Sequence, residues 1–159
     1  MKTIWAPLRM EYILSEKDKD CLFCIKPAEN RDRDNLILYR DKNVYVIMNK
    51  YPYNNGHLMV VPYFHTSSFD GLSGDVLFDI IRITKYSVDC LQNAFHPEGF
   101  NIGINIGSPA GAGIEEHIHV HIVPRWAGDT NFMTVVGETK VIPEHLLDTY
   151  DKLYPIFKS

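Results

Sequence analysis

The sequence has little cysteine, with three in 159 residues. Three cysteines are too few for a disulfide framework, which excludes the small disulfide-stabilised folds of secreted proteins. No apolar run approaches the ~20 residues that cross a bilayer, and the N-terminus lacks the apolar segment of a secretory signal. We therefore expect a cytoplasmic protein with no membrane partner.

An excess of basic residues is also absent. Sixteen lysines and arginines against twenty acidic residues give a net charge of −4 with neutral histidines. Proteins that bind nucleic acid usually carry a basic excess, so the composition favours no nucleic-acid partner. Internal repeats and low-complexity tracts are lacking too. The length, with 45% hydrophobic and 23% charged residues, predicts a single folded domain over residues 1–159.

The hydrophobic pattern mixes strands and helices without the regular alternation of a parallel sheet. A core-facing stripe at helical spacing predicts a helix over 72–95, and Pro143 begins a second, shorter helix. The stripe consists of Leu77, Ile80, Ile81, Thr84, Val88, Leu91 and Phe95. We expect 25–35 to form an exposed loop and 1–14 to pack on the body or on a partner subunit. Adjacent short strands favour hairpins, so the sequence predicts an α+β domain. The predicted strands are 36–39, 44–48, 57–63, 100–106 and 114–124.

The segment with the most chemical information is His117-Ile-His-Val-His-Ile-Val-Pro124. Side chains of a strand alternate between its faces, so the three histidines share one face and the apolar residues share the other. The alternative is a polar, solvent-facing side of an edge strand, but surface positions rarely choose histidine three times in succession. Clustered histidines bind metal ions, or act as nucleophile and proton-transfer groups near neutral pH.

Two further segments bear on this choice. The glycine-rich loop 105–113 directly precedes the histidines, and glycine lets backbone N–H groups approach an anion closely. The loop therefore predicts a phosphate site within reach of the imidazoles. Cys21 and Cys24 form a Cys-x-x-Cys pair, which is either redox-active or half of a metal site. The spacing alone leaves both possibilities open.

His-φ-His-φ-His-φ-φ, with φ apolar, resembles the signature of the histidine triad family of nucleotidyl hydrolases and transferases. The Cys-x-x-Cys pair, Gly56-His57-Leu-Met-Val-Val-Pro62 and His65 are similar to the family's N-terminal half. Trp5-Ala-Pro-x-Arg-x-x-Tyr12 and Pro124-Arg-Trp-x-Gly-Asp-Thr-Asn-Phe-Met133 resemble the branch that contains the diadenosine tetraphosphate phosphorylases. The resemblance covers nearly the whole chain. It implies an antiparallel sheet of about five strands with two main helices.

The resemblance also implies catalytic roles. The middle histidine, His119, would attack the α-phosphorus and form a covalent nucleotidyl-histidine, and His121 would assist with proton transfer and charge. Many relatives place a Ser or Thr hydroxyl at the position of Ile114, which leaves only backbone contacts with phosphate there. The residues implied to contact the substrate are Asn49, His57, Asn105, Gly107, Gly113 and Ile114.

Two of these residues keep an alternative interpretation. Asn49 matches the position where relatives bind the ribose hydroxyls, but an Asn before Lys50-Tyr-Pro52 can also simply form a turn. His57 matches a histidine close to the triad, but it can also be a buried histidine that bonds to backbone.

For the metal, the zinc-containing relatives imply a structural tetrahedral zinc site formed by Cys21, Cys24, His65 and His117.

The favoured activity is phosphorolysis of a dinucleoside polyphosphate such as diadenosine tetraphosphate, with a nucleotide and inorganic phosphate as substrates. The alternative chemistry is hydrolysis of a dinucleoside polyphosphate or a nucleoside phosphoramidate. A different class of function is a zinc-stabilised nucleotide-binding sensor with little turnover. The family resemblance also implies a homodimer or homotetramer.

Overall fold

The computed structural model describes residues 21–130 and 142–159. A short 3₁₀ turn, Ser108–Ala110, interrupts the glycine-rich loop. Three helices are described: α1 (Leu22–Ala28), α2 (Gly74–Phe95) and α3 (Leu146–Lys158). The five described strands are β1 (Ile37–Arg40), β2 (Val44–Met48), β3 (Leu58–Pro62), β4 (Gly99–Ile104) and β5 (Val120–Arg125).

The strands form one antiparallel sheet in the order β1-β2-β3-β5-β4. Strand β5 therefore lies between β3 and β4, where Met59 and Gly103 pair with His121 from either side. Helix α2 packs on β2, β3 and β5, and α3 packs on β1 and α2. This architecture confirms the predicted α+β class with a five-stranded antiparallel sheet.

Helix α2 buries most of the predicted stripe, including Ile80, Thr84 and Leu91, but not all of it. Ser73 caps its first turn by accepting a hydrogen bond from the Val76 N–H, and it ends at His96 in the left-handed conformation. Leu77 and Ile81, which the pattern placed in the core, are exposed. The buried face extends instead to Ile83 and Ser87. The buried Thr84 and Ser87 hydroxyls donate to carbonyls one turn earlier, at 2.7 and 2.8 Å, so both are hydrogen-bonded despite their burial.

Three predicted boundaries are wrong. The last helix begins at Leu146, with His145 as its N-cap, and not at Pro143. Residues 25–35 do not form a loop throughout, because α1 continues to Ala28. The predicted strand 114–124 begins only at Val120, because the Ile118 N–H donates to the Thr66 carbonyl at 2.7 Å instead of to a neighbouring strand. The predicted packing of residues 1–14 lies outside the described residues. No helix among the described residues is both long enough and apolar enough to cross a membrane.

Candidate active site and metal site

Four histidines from the neighbouring strands β3 and β5 and the segments just before them lie in one row. They are His57, His117, His119 and His121. His57 immediately precedes β3, and His121 is the second residue of β5, with its side chain on the face opposite to the core residues Val120 and Ile122. A side-chain carbon built at Gly103, the β4 partner of His121, would meet nothing within 4 Å. The sheet therefore leaves open space beside His121.

A chain of hydrogen bonds assigns the protons of His57 and His121. The Tyr53 N–H donates to His57 Nδ1 at 3.0 Å, so this atom carries no proton in the neutral ring. The proton is then on His57 Nε2, which lies 3.0 Å from His121 Nδ1 and donates to it. His121 Nδ1 is consequently an acceptor, and its Nε2–H is left to donate. The contact thus gives His57 a role beyond bonding to backbone.

His119 has the opposite arrangement. Its Nδ1 lies 2.8 Å from the His117 carbonyl oxygen, which only accepts, so Nδ1 carries the proton. The Nε2 atom of His119 therefore holds a lone pair. The ring is only 4% exposed, and its centroid lies 4.7 Å from that of His121. A nucleophilic nitrogen and a hydrogen-bond donor are thus presented side by side.

Burial keeps these rings neutral. It lowers the pKa of His119 below the ordinary value for histidine. Burial and the neighbouring His119 lower the pKa of His121 to about 4. Burial also lowers the pKa of His117. At neutral pH the Nε2 lone pair of His119 is consequently available without prior loss of a proton.

The metal-binding residues implied by the resemblance lie together at the other end of the histidine row. The ligand atoms of Cys21, Cys24, His65 and His117 all lie within 4.8 Å of one another. Cys21 and Cys24 Sγ lie 3.3 and 3.7 Å from His117 Nδ1, and Cys24 Sγ lies 3.4 Å from His65 Nδ1. His117 Nε2 donates to the Pro62 carbonyl at 2.7 Å, which leaves the Nδ1 lone pair pointing at the sulfurs. Desolvation and the neighbouring Cys21 raise the pKa of the Cys24 thiol to about 11. Two sulfurs and two imidazole nitrogens match the ligand set of a tetrahedral metal site.

The glycine-rich loop forms one wall of a cleft of about 470 Å³. Gly107 has a φ of +80°, and its carbonyl accepts from the Ala110 and Ala112 N–H groups at 3.1 and 3.4 Å. Asn105 donates to the Gly111 carbonyl at 3.5 Å and braces the loop from within. Gly113 and Ile114 follow in the sequence, between this loop and His117. The cleft is lined by Ser67, Ser68, Ile106, Gly107, Glu115 and Glu116.

Asn49 has the turn role that the sequence left open. Its Oδ1 accepts from the Tyr51 N–H at 2.9 Å, and its own N–H donates to the His57 carbonyl at 2.9 Å. The side-chain amide Nδ2 remains as a donor on this half-buried residue. Asn49 thus fixes the segment that carries Tyr53 and His57, and a ribose contact through Nδ2 stays a prediction.

Sequence reasoning missed two aromatic residues at the site. Tyr53 is 43% exposed, and its ring lies 4.7 Å from His57 and 5.9 Å from His121. Phe23 is buried against His117 and His119. The sequence signal for each was its place next to a motif. Phe23 lies between the two cysteines, and Tyr53 directly precedes Asn54-Asn-Gly56.

Comparisons with known proteins identify the same family as the histidine motif. The HIT domain family matches residues 30–128. An AP-4-A phosphorylase of Mycobacterium tuberculosis is 40% identical over 157 residues, covering 94% of this chain and 80% of that protein. An uncharacterised HIT-like protein of Methanocaldococcus jannaschii is 35% identical over 120 residues, covering 76% of this chain and 89% of that protein.

Solved structures share the fold. A zinc-bound histidine triad family protein from Mycobacterium smegmatis has a TM-score of 0.70 at 23% identity, covering 87% of this chain and 94% of its own. A hypothetical histidine triad nucleotide-binding protein from Sulfolobus tokodaii has a TM-score of 0.67 at 29% identity, covering 87% and 89%.

Proposed function

Because the chain belongs to the histidine triad family, we propose that it cleaves dinucleoside polyphosphates by phosphorolysis through a covalent adenylyl-His119 intermediate. The prediction of a HIT-family enzyme is confirmed by the identity with the AP-4-A phosphorylase over nearly the whole chain. The observation that carries the proposed mechanism is the proton-free Nε2 of His119 beside the Nε2–H of His121.

In the first step, the His119 Nε2 lone pair forms an N–P bond with the α-phosphorus. The P–O bond to the leaving nucleotide breaks, and its electron pair stays on the departing oxygen. The His121 Nε2–H donates a hydrogen bond to that oxygen and stabilises the developing charge. The His57 Nε2–H keeps His121 in the donating tautomer. Diadenosine tetraphosphate would thus release ATP and leave AMP on the enzyme.

In the second step, inorganic phosphate attacks the phosphorus of the adenylyl group. A P–O bond forms as the N–P bond breaks, which gives ADP and restores the His119 lone pair. In this proposal, phosphate oxygens contact Asn105 and the backbone at Gly107, Gly113 and Ile114, and Asn49 Nδ2 contacts the ribose. The glycine-rich wall of the cleft, which precedes the histidines along the chain, supports this arrangement.

We also propose that the four-residue metal site holds structural zinc. The convergence of two cysteine sulfurs and two histidine nitrogens supports zinc over metals that prefer oxygen ligands. All four positions of a tetrahedral ion would be filled by protein, so the ion would leave no position for substrate. Its contribution would be to hold α1 against the loop that carries His117.

A product assay tests the reaction. Purified protein is incubated with diadenosine tetraphosphate, with and without inorganic phosphate, and the nucleotides are separated. ADP plus ATP that depend on phosphate support phosphorolysis, whereas AMP plus ATP without phosphate indicate hydrolysis. Saturable nucleotide binding without products would indicate the sensor. An acid-labile AMP-protein adduct should appear in quenched wild-type reactions and be absent from His119→Ala.

The proposal includes a homodimer or homotetramer in the cytoplasm. Strand β4 is at the edge of the sheet, and it carries no charged residue to block pairing with another strand. Ile102 on this strand is exposed, as are Phe78 and Ile81 on α2. Light scattering coupled to size-exclusion chromatography measures the mass, and a monomer of 18.3 kDa would contradict this part of the proposal.

A further inference from the structure

The Cys-x-x-Cys pair brackets a buried aromatic ring that contacts the nucleophile. Phe23, between Cys21 and Cys24, is 2% exposed. Its ring centroid lies 4.9 Å from that of His119 at an interplanar angle of 59°, and 5.6 Å from that of His117 at 79°. These are the separations and tilts of favourable aromatic pairs. Phe23 therefore connects the metal-site segment directly to the reacting residue.

Several contacts fix the backbone at Phe23. The hydroxyl of the fully buried Tyr45 donates to the Phe23 carbonyl at 2.7 Å. The Cys21 carbonyl accepts from the Cys24 and Ile25 N–H groups at 3.0 Å each, which closes the first turn of α1. The two cysteine sulfurs next to Phe23 face His117 Nδ1. These contacts fix the backbone on both sides of Phe23 and thereby orient its ring.

The His119 ring needs such a contact. Its Nδ1–H donates to the His117 carbonyl, but a single hydrogen bond tolerates a range of donor angles and so restrains the tilt of the ring only loosely. The ring packs between Phe23 and His121, whose centroids lie 4.9 and 4.7 Å away. Phe23 therefore limits the tilt that decides where Nε2 points.

We propose that Phe23 is a positioning residue, which the Cys21–Cys24 turn and the Tyr45 hydroxyl hold against His119 so that Nε2 faces the α-phosphorus. This inference rests on the proposed function for its kinetic consequence. At 2% exposure Phe23 offers almost no surface to a substrate, so it acts through His119 and not by binding the nucleotide. A displacement of ~1 Å at a reacting group can cost about 100-fold in rate.

The chain offers a matched control. Phe157 in α3 is 1% exposed and packs on Tyr39 and Tyr86, with centroids 6.2 and 5.5 Å away. Phe23→Leu and Phe157→Leu remove the same atoms from equally buried sites. We expect Phe23→Leu to lower kcat about 10- to 100-fold with KM and the Kd for AMP within twofold of wild type. Phe157→Leu should leave kcat within twofold of wild type at a similar loss of Tm.

Metal content separates positioning from loss of the ion. Zinc per chain is measured in both variants and in wild type by elemental analysis. A fall in kcat at unchanged metal content supports the proposal. A fall in kcat that only follows lost zinc, or a Phe23→Leu kcat that matches Phe157→Leu, overturns it.

A second measurement needs no substrate and remains valid if the proposed reaction is wrong. In ¹⁵N-histidine NMR spectra at pH 8, the wild-type His119 ring should show distinct Nδ1–H and unprotonated Nε2 signals. Phe23→Leu should move both signals toward the tautomeric average, because a tilting ring weakens the hydrogen bond to the His117 carbonyl. Unmoved His119 signals in a folded Phe23→Leu protein would overturn the positioning role. Absent turnover in wild type with these shifts present would reject only the proposed function.

Discussion

His57 makes two separable contributions, one through each ring nitrogen. Its Nδ1 accepts from the Tyr53 N–H, and its Nε2–H donates to His121 Nδ1. Asparagine places a side-chain atom near the position of Nδ1, and glutamine places a donor near the position of Nε2. His57→Asn should therefore keep the acceptor and lose the donor to His121, whereas His57→Gln should keep the donor and lose the acceptor.

The two variants should have opposite defects. Without the donor, the preferred tautomer of His121 loses one hydrogen bond, worth about 0.5–1.5 kcal/mol. This corresponds to a fall in kcat of about 2- to 12-fold in His57→Asn. His57→Gln leaves the Tyr53 N–H without its acceptor at a cost of about 1 kcal/mol, which lowers Tm by about 2–4 °C in a domain of this size. We expect its kcat to stay within twofold of wild type.

Steady-state kinetics with diadenosine tetraphosphate and thermal unfolding of both variants test this pair. Equal loss of kcat in the two variants would refute the tautomer argument, since the donor would then be irrelevant. A Tm loss confined to His57→Asn would refute the assignment of Nδ1 as the acceptor. A His57→Ala protein, which lacks both atoms, should combine the two defects.

Three further predictions concern the triad and the metal site. His119→Ala should abolish turnover while circular dichroism shows an intact fold, and more than a few per cent of residual activity would count against a nucleophilic His119. Removing metal with a chelator should lower Tm, because the binding of a structural ion is coupled to folding. Elemental analysis that finds no zinc in the purified native protein would contradict the proposed structural zinc. The pKa of His121 is lowered to about 4, so the unfolded state binds more protons between pH 4 and 6.5. The free energy of unfolding should therefore fall as pH drops through that window, and His121→Gln should reduce the fall measured by urea denaturation.

Strong periodic patterns predicted the sheet and the long helix well. The alternation from Ile118 to Ile122 predicted which residues enter the core, and these residues are buried as expected. Strand β2, predicted over 44–48, has the same bounds in the structure. The family signature predicted the four metal-site residues, and the fold brings them together from α1, the loop after β3 and the approach to β5.

Patterns failed where long-range hydrogen bonds override local preference. The Ile118 N–H bonds to Thr66, and no local property of the sequence specifies a partner 52 positions away. The pattern placed Ile80, Thr84 and Leu91 of α2 in the core correctly but missed Ser87, which can be buried because its hydroxyl donates to the Ile83 carbonyl within the helix. Hydrophobic spacing counts a serine as polar and favours Leu77 and Ile81, which are exposed.

His117 shows why the metal site and the nucleophile are not independent. Its Nδ1 faces the cysteine sulfurs, and its Nε2–H donates to the Pro62 carbonyl. Its own carbonyl accepts a hydrogen bond from His119 Nδ1–H, which leaves His119 Nε2 unprotonated. A displacement of His117 would move that carbonyl, and Phe23 would move with the cysteines on either side of it. Two routes, one through a hydrogen bond and one through packing, thus run from the metal site to the same imidazole. In the proposed function, the residue assigned to the metal site therefore also determines which nitrogen of His119 can attack phosphorus.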